Sequence, residues 1–247
     1  MSDRVLFIGG MDSSGGAGIL RDAATAGELG ARCCAAVTAV TVQSDRAVTA
    51  IHPIPPNEVA AQIHAAAERG IGAVKIGMLC SAATVEAVAA ALPDVPVVLD
   101  PVLASSSGHA LLDREGIRAM LALLLRRTTL LTPNIPELRS LTAHLDLCGK
   151  DHERTHVAAL VDQGCPAVLV KGGHSENATS SEDRLYLGHD RVIAYPGSRF
   201  QAELRGSGCQ LASAVAVHLA RGNGLPVATE LSKDLVRQRF VEVVGLP

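Results

Sequence analysis

The chain has 247 residues, 48% of them apolar, and a formal net charge of −3. Aromatic residues make up only 2% and tryptophan is absent, so Ala, Val and Leu must fill the core. The shortage of stacking platforms and the lack of a basic block speak against nucleic-acid binding and against a broad surface for polyanions or anionic membranes.

Length and apolar content fit one α/β domain over residues 1–247. The apolar run from Val5 to Ile8 is too short for a signal-peptide core, and no uninterrupted stretch is long enough to span a bilayer. Six cysteines without C-x-x-C spacing read as reduced thiols of a cytoplasmic protein, neither a disulfide framework nor a zinc site.

The first element is a β-branched strand over 5–8, ended by Gly9-Gly10. "SSGGAG", 13–18, is a Gly-rich turn opening into a helix over 17–29. Such dense glycine either makes an ordinary strand-to-helix turn or lets backbone approach a ligand closely. It lacks the G-x-x-x-x-G-K-[ST] pattern of a Walker-type phosphate loop. "CCAAVTAVTVQ", 33–43, predicts a buried strand. Prolines 53, 55 and 56 break the chain, and Asn57 is placed to cap a helix running to about residue 69. Strand 73–79, helix 81–92 with Ser81 as its cap, and strand 95–103 follow.

Asp100 closes that strand before Pro101, which suits either a turn or a hydrated Mg²⁺. After a helix over 113–126 comes strand 128–134, stopped by Pro133, then a helix over 136–145. "TPNIPE", 132–137, sets Asn134 and Glu137 three residues apart. That spacing forms a capping box or presents an amide and a carboxylate on one face. A helix over 153–164 closes at Gly164. Strand 167–173 ends in Lys171-Gly172-Gly173-His174, where a lysine would meet a phosphate or simply stand exposed. A hairpin over 184–197 turns at Gly-His-Asp. Two helices, 207–221 and 227–241, finish the chain.

Strands alternating with helices predict an open, mostly parallel sheet with helices on both faces. Ligands bind such sheets at the carboxyl ends of their strands. Asp100, Asn134, Glu137, Lys171 and the turn Gly206-Ser207-Gly208-Cys209 all fall there. The last can aim backbone N–H groups at an anion, aided by the positive end of the following helix. The same helix end predicts a lowered pKa for Cys209, which suits a general base or a thiolate nucleophile, the base being favoured because no His-Asp pairing supports covalent catalysis; the plain alternative is a small packed thiol.

Together "DSSGGAGILRDAATAGELGA", "TAVTVQSDRAV", "VKIGML", "VVLDPVL", "LLTPNIPEL", "VLVKGGH" and "GSGCQLASA" resemble the hydroxymethylpyrimidine/phosphomethylpyrimidine kinase family of thiamine biosynthesis, in the ribokinase-like superfamily. The resemblance runs from residue 5 to about 221. It implies a three-layer sandwich and ATP- and Mg²⁺-dependent phosphorylation of 4-amino-5-hydroxymethyl-2-methylpyrimidine and then of its monophosphate. By motif, Gln43 reads the aminopyrimidine edge, and Asp22, Gly10 and Met78 line the same pocket. Asp100 and Glu137 hold Mg²⁺. Asn134, Lys171 and Ser207 contact the nucleotide. Gly206 and Gly208 supply anion-hole N–H groups, and Cys209 is the base. A homodimer is the family's habit.

Three departures stand out. Ser207 stands where relatives carry threonine, which keeps a hydroxyl. Arg205 occupies the position where relatives carry histidine, and the sequence ends at Pro247 without their polar tail, so the resemblance does not specify the nucleotide-side wall. Two other functions fit the same motifs: a pyridoxal or pyridoxine kinase, and a catalytically weak pyrimidine-binding regulator.

Overall fold

A central strand buried on both faces must be apolar at every position, whereas one covered on a single face alternates. In the computed structural model, β1 (Arg4–Asp12) sends Val5 and Phe7 into one apolar cluster and Leu6 and Ile8 into another. The same split recurs along β4 (Ala73–Ile76), β5 (Val97–Leu99), β6 (Leu130–Leu131) and β7 (Ala167–Val170). The structure describes residues 2–44, 46–105, 108–143, 145, 147, 152–172, 180–198 and 204–244. Gly173 and His174 of the Lys171 motif, and Cys148, lie outside them.

The strands form one sheet, ordered β3-β2-β1-β4-β5-β6-β7-β8-β9. Pairing is parallel from β2 (Arg32–Gln43) through β7. It is antiparallel at both edges, where β3 (Val48–Pro53) joins β2 and the hairpin β8–β9 (Ser180–Leu187, Arg191–Ser198) joins β7. One face is covered by α2 (Pro56–Ala67), α3 (Ala82–Ala91), α4 (Arg114–Leu123), α5 (Ile135–Thr142) and α6 (Glu153–Asp162). The other is covered by α1 (Gly18–Glu28), α7 (Ser207–Ala220) and α8 (Leu225–Val244). From β1 the chain moves outward to β3, then returns to β4 and proceeds the other way. The strand order therefore reverses between β1 and β4, which opens a crevice at their carboxyl ends.

Several predicted boundaries shift. β1 does not stop at Gly9-Gly10: β2 carries its pairing on to Asp12 across a register shift there. Strand β3 is absent from the sequence-based prediction, because a six-residue edge strand ending at Pro53 carries little periodicity. Helix α2 is capped at Pro55 and not at Asn57, since Pro56 at the first helical position already has the helical φ. β4, β5 and β6 are shorter than predicted. Their apolar continuations leave the ladder and line the crevice or pack beneath it.

Candidate active site

The carboxyl ends of the parallel strands surround a cavity of about 1530 Å³. A single small ligand usually occupies about 300–1,000 Å³, so there is room for two substrates side by side. Gly10, Asp22, Gln43, Met78, Asp100, Asn134, Glu137, Lys171 and the whole turn from Gly206 to Cys209 line it. The sequence motifs thus converge on one space.

At one part of the wall, β2 ends in Gln43. Thr41 Oγ1 donates to Gln43 Oε1 at 3.1 Å. The Gln43 backbone is tied to Ser13 Oγ by two bonds of 3.0 Å, so the Gly-rich turn fixes this amide in place. Met78 follows β4. Its thioether fits only because residue 10 is glycine, where a Cβ would stand 2.8 Å from Met78 Sδ.

A cluster of charges occupies the ends of β5, β6 and β7. Asp100 is almost fully buried and accepts from Thr132 Oγ1 at 3.1 Å and Lys171 Nζ at 3.0 Å. Burial alone would raise its pKa, but Lys171 and Lys75 outweigh burial and hold it below the usual carboxylate value. Lys171 Nζ also lies 3.9 Å from Glu137 Oε2. Burial raises the Glu137 pKa, and Lys171 offsets only part of that. Asn134 caps α5 in a full capping box, its Oδ1 accepting from Glu137 N while Glu137 Oε2 accepts from Asn134 N, each at 2.8 Å. Both sequence readings of this pair hold together: the box orients the two side chains, and both still line the cavity.

Helix α7 begins where the charges converge. Gly206 is its N-cap with φ +74°, in the left-handed region that favours glycine. A Cβ at Gly208 would meet Lys171 Nζ at 3.3 Å, which brings the ammonium against the helix start. Exposed helix N–H groups, the helix dipole and a lysine thus address one place, a ready anion site.

One expectation is corrected. Cys209 does not have a lowered pKa. Burial pushes its thiol up to about 11; Lys75 pulls it down, while Asp22 and Asp100 push it up again. Cys209 is half-buried at the cavity wall, and the desolvation it suffers there outweighs the helix N-terminus. Asp22 lines the cavity as expected, yet it is fully buried and its oxygens are already occupied. It accepts from Lys75 Nζ at 3.0 Å on each oxygen and from Ser213 Oγ at 2.7 Å.

Lys75 itself escaped the sequence reading. A single charge inside "AVKIGML", a buried strand, was the available signal, since a lysine there needs a partner. Nor were the α8 residues Lys233, Arg237 and Phe240, which line the cavity, expected. Lys233 pairs with Asp183 Oδ2, and Asp183 Oδ1 accepts from Gly172 N at 2.8 Å, which joins α8 to the end of β7.

Comparison with known proteins matches residues 12–245 to the family model described as phosphomethylpyrimidine kinase. A hydroxymethylpyrimidine/phosphomethylpyrimidine kinase of Mycobacterium tuberculosis is 40% identical over 246 residues, covering 95% of this chain and 87% of the relative. The crystal structure of a phosphomethylpyrimidine kinase from Clostridium difficile superposes with a TM-score of 0.81 at 31% identity, covering 96% of this chain and 98% of that one. A pyridoxal kinase from Staphylococcus aureus, in complex with AMP-PCP and pyridoxal, gives 0.83 at 26% identity, covering 96% and 87%.

Proposed function

The chain belongs to the phosphomethylpyrimidine kinase family, and from that premise we propose the roles of its residues in phosphorylating 4-amino-5-hydroxymethyl-2-methylpyrimidine and then its monophosphate, with ATP as donor. The activity is that of a kinase of thiamine biosynthesis, carried on one domain spanning residues 1–247. The observation that carries the assignment of roles is a single cavity lined by Gln43 and Met78, by Lys171 and Asn134, and by Cys209.

Gln43 reads the aminopyrimidine, because an amide donates and accepts toward adjacent ring and amino groups. Thr41 orients that amide, and Met78 packs against the ring. Asn134, Lys171 and Ser207 hold the nucleotide's phosphates. The N–H groups at Gly206 and Gly208 stabilise charge on the phosphoryl group as it moves. As thiolate, Cys209 takes the proton of the attacking hydroxymethyl group. With a thiol pKa near 11 it rests protonated at neutral pH, and Lys75 is the positive charge that favours its thiolate.

Asp100 and Glu137 suit Mg²⁺. The ion typically uses one or two protein carboxylates plus substrate phosphates and water, and these two share Lys171 at the anion site. When bound, the metal would neutralise phosphate oxygens during transfer.

The test is mass spectrometry of products formed from the pyrimidine alcohol, its monophosphate and pyridoxal with ATP and Mg²⁺. Mono- and diphosphorylated pyrimidine are expected. Faster turnover of pyridoxal would transfer the reading to the vitamin B6 kinases that share this fold, and binding of the pyrimidine without product would remove it.

A further inference from the structure

Arg205 immediately precedes the anion-site turn. Its guanidinium lines the cavity and reaches across to the Gly-rich turn after β1. Arg205 Nη2 donates to Asp12 Oδ2 at 2.7 Å, and Nη1 donates to Ser14 Oγ at 2.6 Å. Asp12 is nearly buried and organises that turn. Its Oδ1 accepts from Ser14 N and Ser14 Oγ, and its Oδ2 accepts from Ala17 N, all at 2.9 Å. The two turns also touch through backbone. A Cβ at Gly206 would lie 2.2 Å from the Gly16 carbonyl oxygen, and one at Gly16 would lie 3.0 Å from Arg205 Nη1. From the other side, Arg239 Nη2 of α8 donates to the Arg205 carbonyl at 3.4 Å.

From this arrangement we infer that Arg205 is a positioning residue: its paired hydrogen bonds to Asp12 and Ser14 latch the Gly-rich turn onto the Gly206–Cys209 turn and fix the backbone donors of the anion site. The inference rests on the reading that this site holds the phosphoryl group in flight. Backbone donors stabilise a transition state only if they are already aimed. The Gly206 turn has no side-chain cap of its own to aim it. A charge-assisted, two-pronged contact supplies that constraint, and its planar fork is a geometry that lysine does not reproduce. Ser13 lies in the same turn but makes its bonds to Gln43 and not to Arg205, so pyrimidine recognition is expected to be spared.

Both transfers pass through the same anion site, so loosening it slows both alike. The experiment measures kcat and pyrimidine KM for the alcohol and for the monophosphate in Arg205→Met, Asp12→Asn, the double variant and Arg205→Lys, with melting temperatures alongside. Each single variant is expected to lose about tenfold or more in kcat for both substrates, with KM within about twofold. The double variant should be no slower than the worse single, because the partners act as one unit. Arg205→Lys should recover only part of the rate.

Losses that multiply in the double variant would overturn the latch, as would a fall in melting temperature with kcat unchanged. Loss with one substrate only would make Arg205 a ligand for that substrate instead. If Asp12→Asn does not fold, Ser14→Ala takes its place in the cycle. Failure of the unaltered chain to phosphorylate either pyrimidine would refute the assigned function, a result distinct from all of these.

Discussion

At the scale of single residues, the proposed chemistry turns on Cys209. An alcohol must lose a proton as it attacks, whereas a phosphate monoester, with a second pKa near ~6 by analogy with phosphorylated side chains, is already largely deprotonated at neutral pH. General-base help is worth about 10²–10⁴-fold. Cys209→Ala should therefore cripple the first transfer by about that factor and leave the second nearly intact, measured as single turnovers with each substrate. Equal losses would assign Cys209 to the geometry of the helix start. The raised thiol pKa adds a pH signature. The reactive form is the thiolate, so the first transfer should quicken as pH climbs from 7 toward the thiol's value of about 11, by up to about tenfold per unit. The second transfer should stay flat over the same range. A rate for the alcohol that does not change with pH would exclude the thiol as base.

At the scale of elements, α5 combines structure and chemistry in one residue. Asn134 Oδ1 caps the helix, and its amide NH₂ is the group proposed to meet the nucleotide. Asn134→Ala should cost about 1 kcal/mol of stability and also weaken ATP binding. Asn134→Asp keeps a capping oxygen but adds negative charge beside Asp100 and Glu137. It should hold stability close to that of the unaltered chain while raising KM for ATP. Denaturant unfolding and nucleotide titration on the two variants separate the roles. Unchanged ATP affinity in both would reduce Asn134 to a cap. Helix α7 shows the complementary arrangement, with a glycine N-cap in a left-handed conformation and no side chain capping its start.

Across the whole molecule, the buried pair Lys75–Asp22 joins β4 to α1, and Ser213 extends it to α7. It lies on the face of the sheet that α1, α7 and α8 cover, and both residues form part of the cavity wall. A buried ion pair adds little net stability compared with apolar packing, but removing one partner strands the other in a medium that solvates charge poorly. Lys75→Met should cost about 3–5 kcal/mol in urea unfolding. Replacing Asp22 by Leu in the same chain should recover much of that loss. If Lys75→Met is tolerated without loss, water reaches Asp22, and the site floor is wetter than its burial implies.

The sequence by itself determined the alternation of strand and helix, the parallel centre of the sheet and the placing of nearly every site residue after a strand. Hydrophobic periodicity, glycine and proline are local signals, and a strand buried on both faces announces itself in its own residues. Tertiary structure decided what depends on distant neighbours. The edge strand β3 exists because β2 pairs with it, and β1 runs on past its glycines because β2 holds it there. Cys209 is the clearest case. A helix start predicts an acidic thiol, but desolvation together with Asp22 and Asp100 reverses the sign against the pull of Lys75. Lys75 could be read as a misfit charge, though its partner lies 53 positions away in sequence, and Arg205 finds Asp12 across 193. Desolvation and pairing are set by atoms brought together only on folding, and no local pattern encodes them.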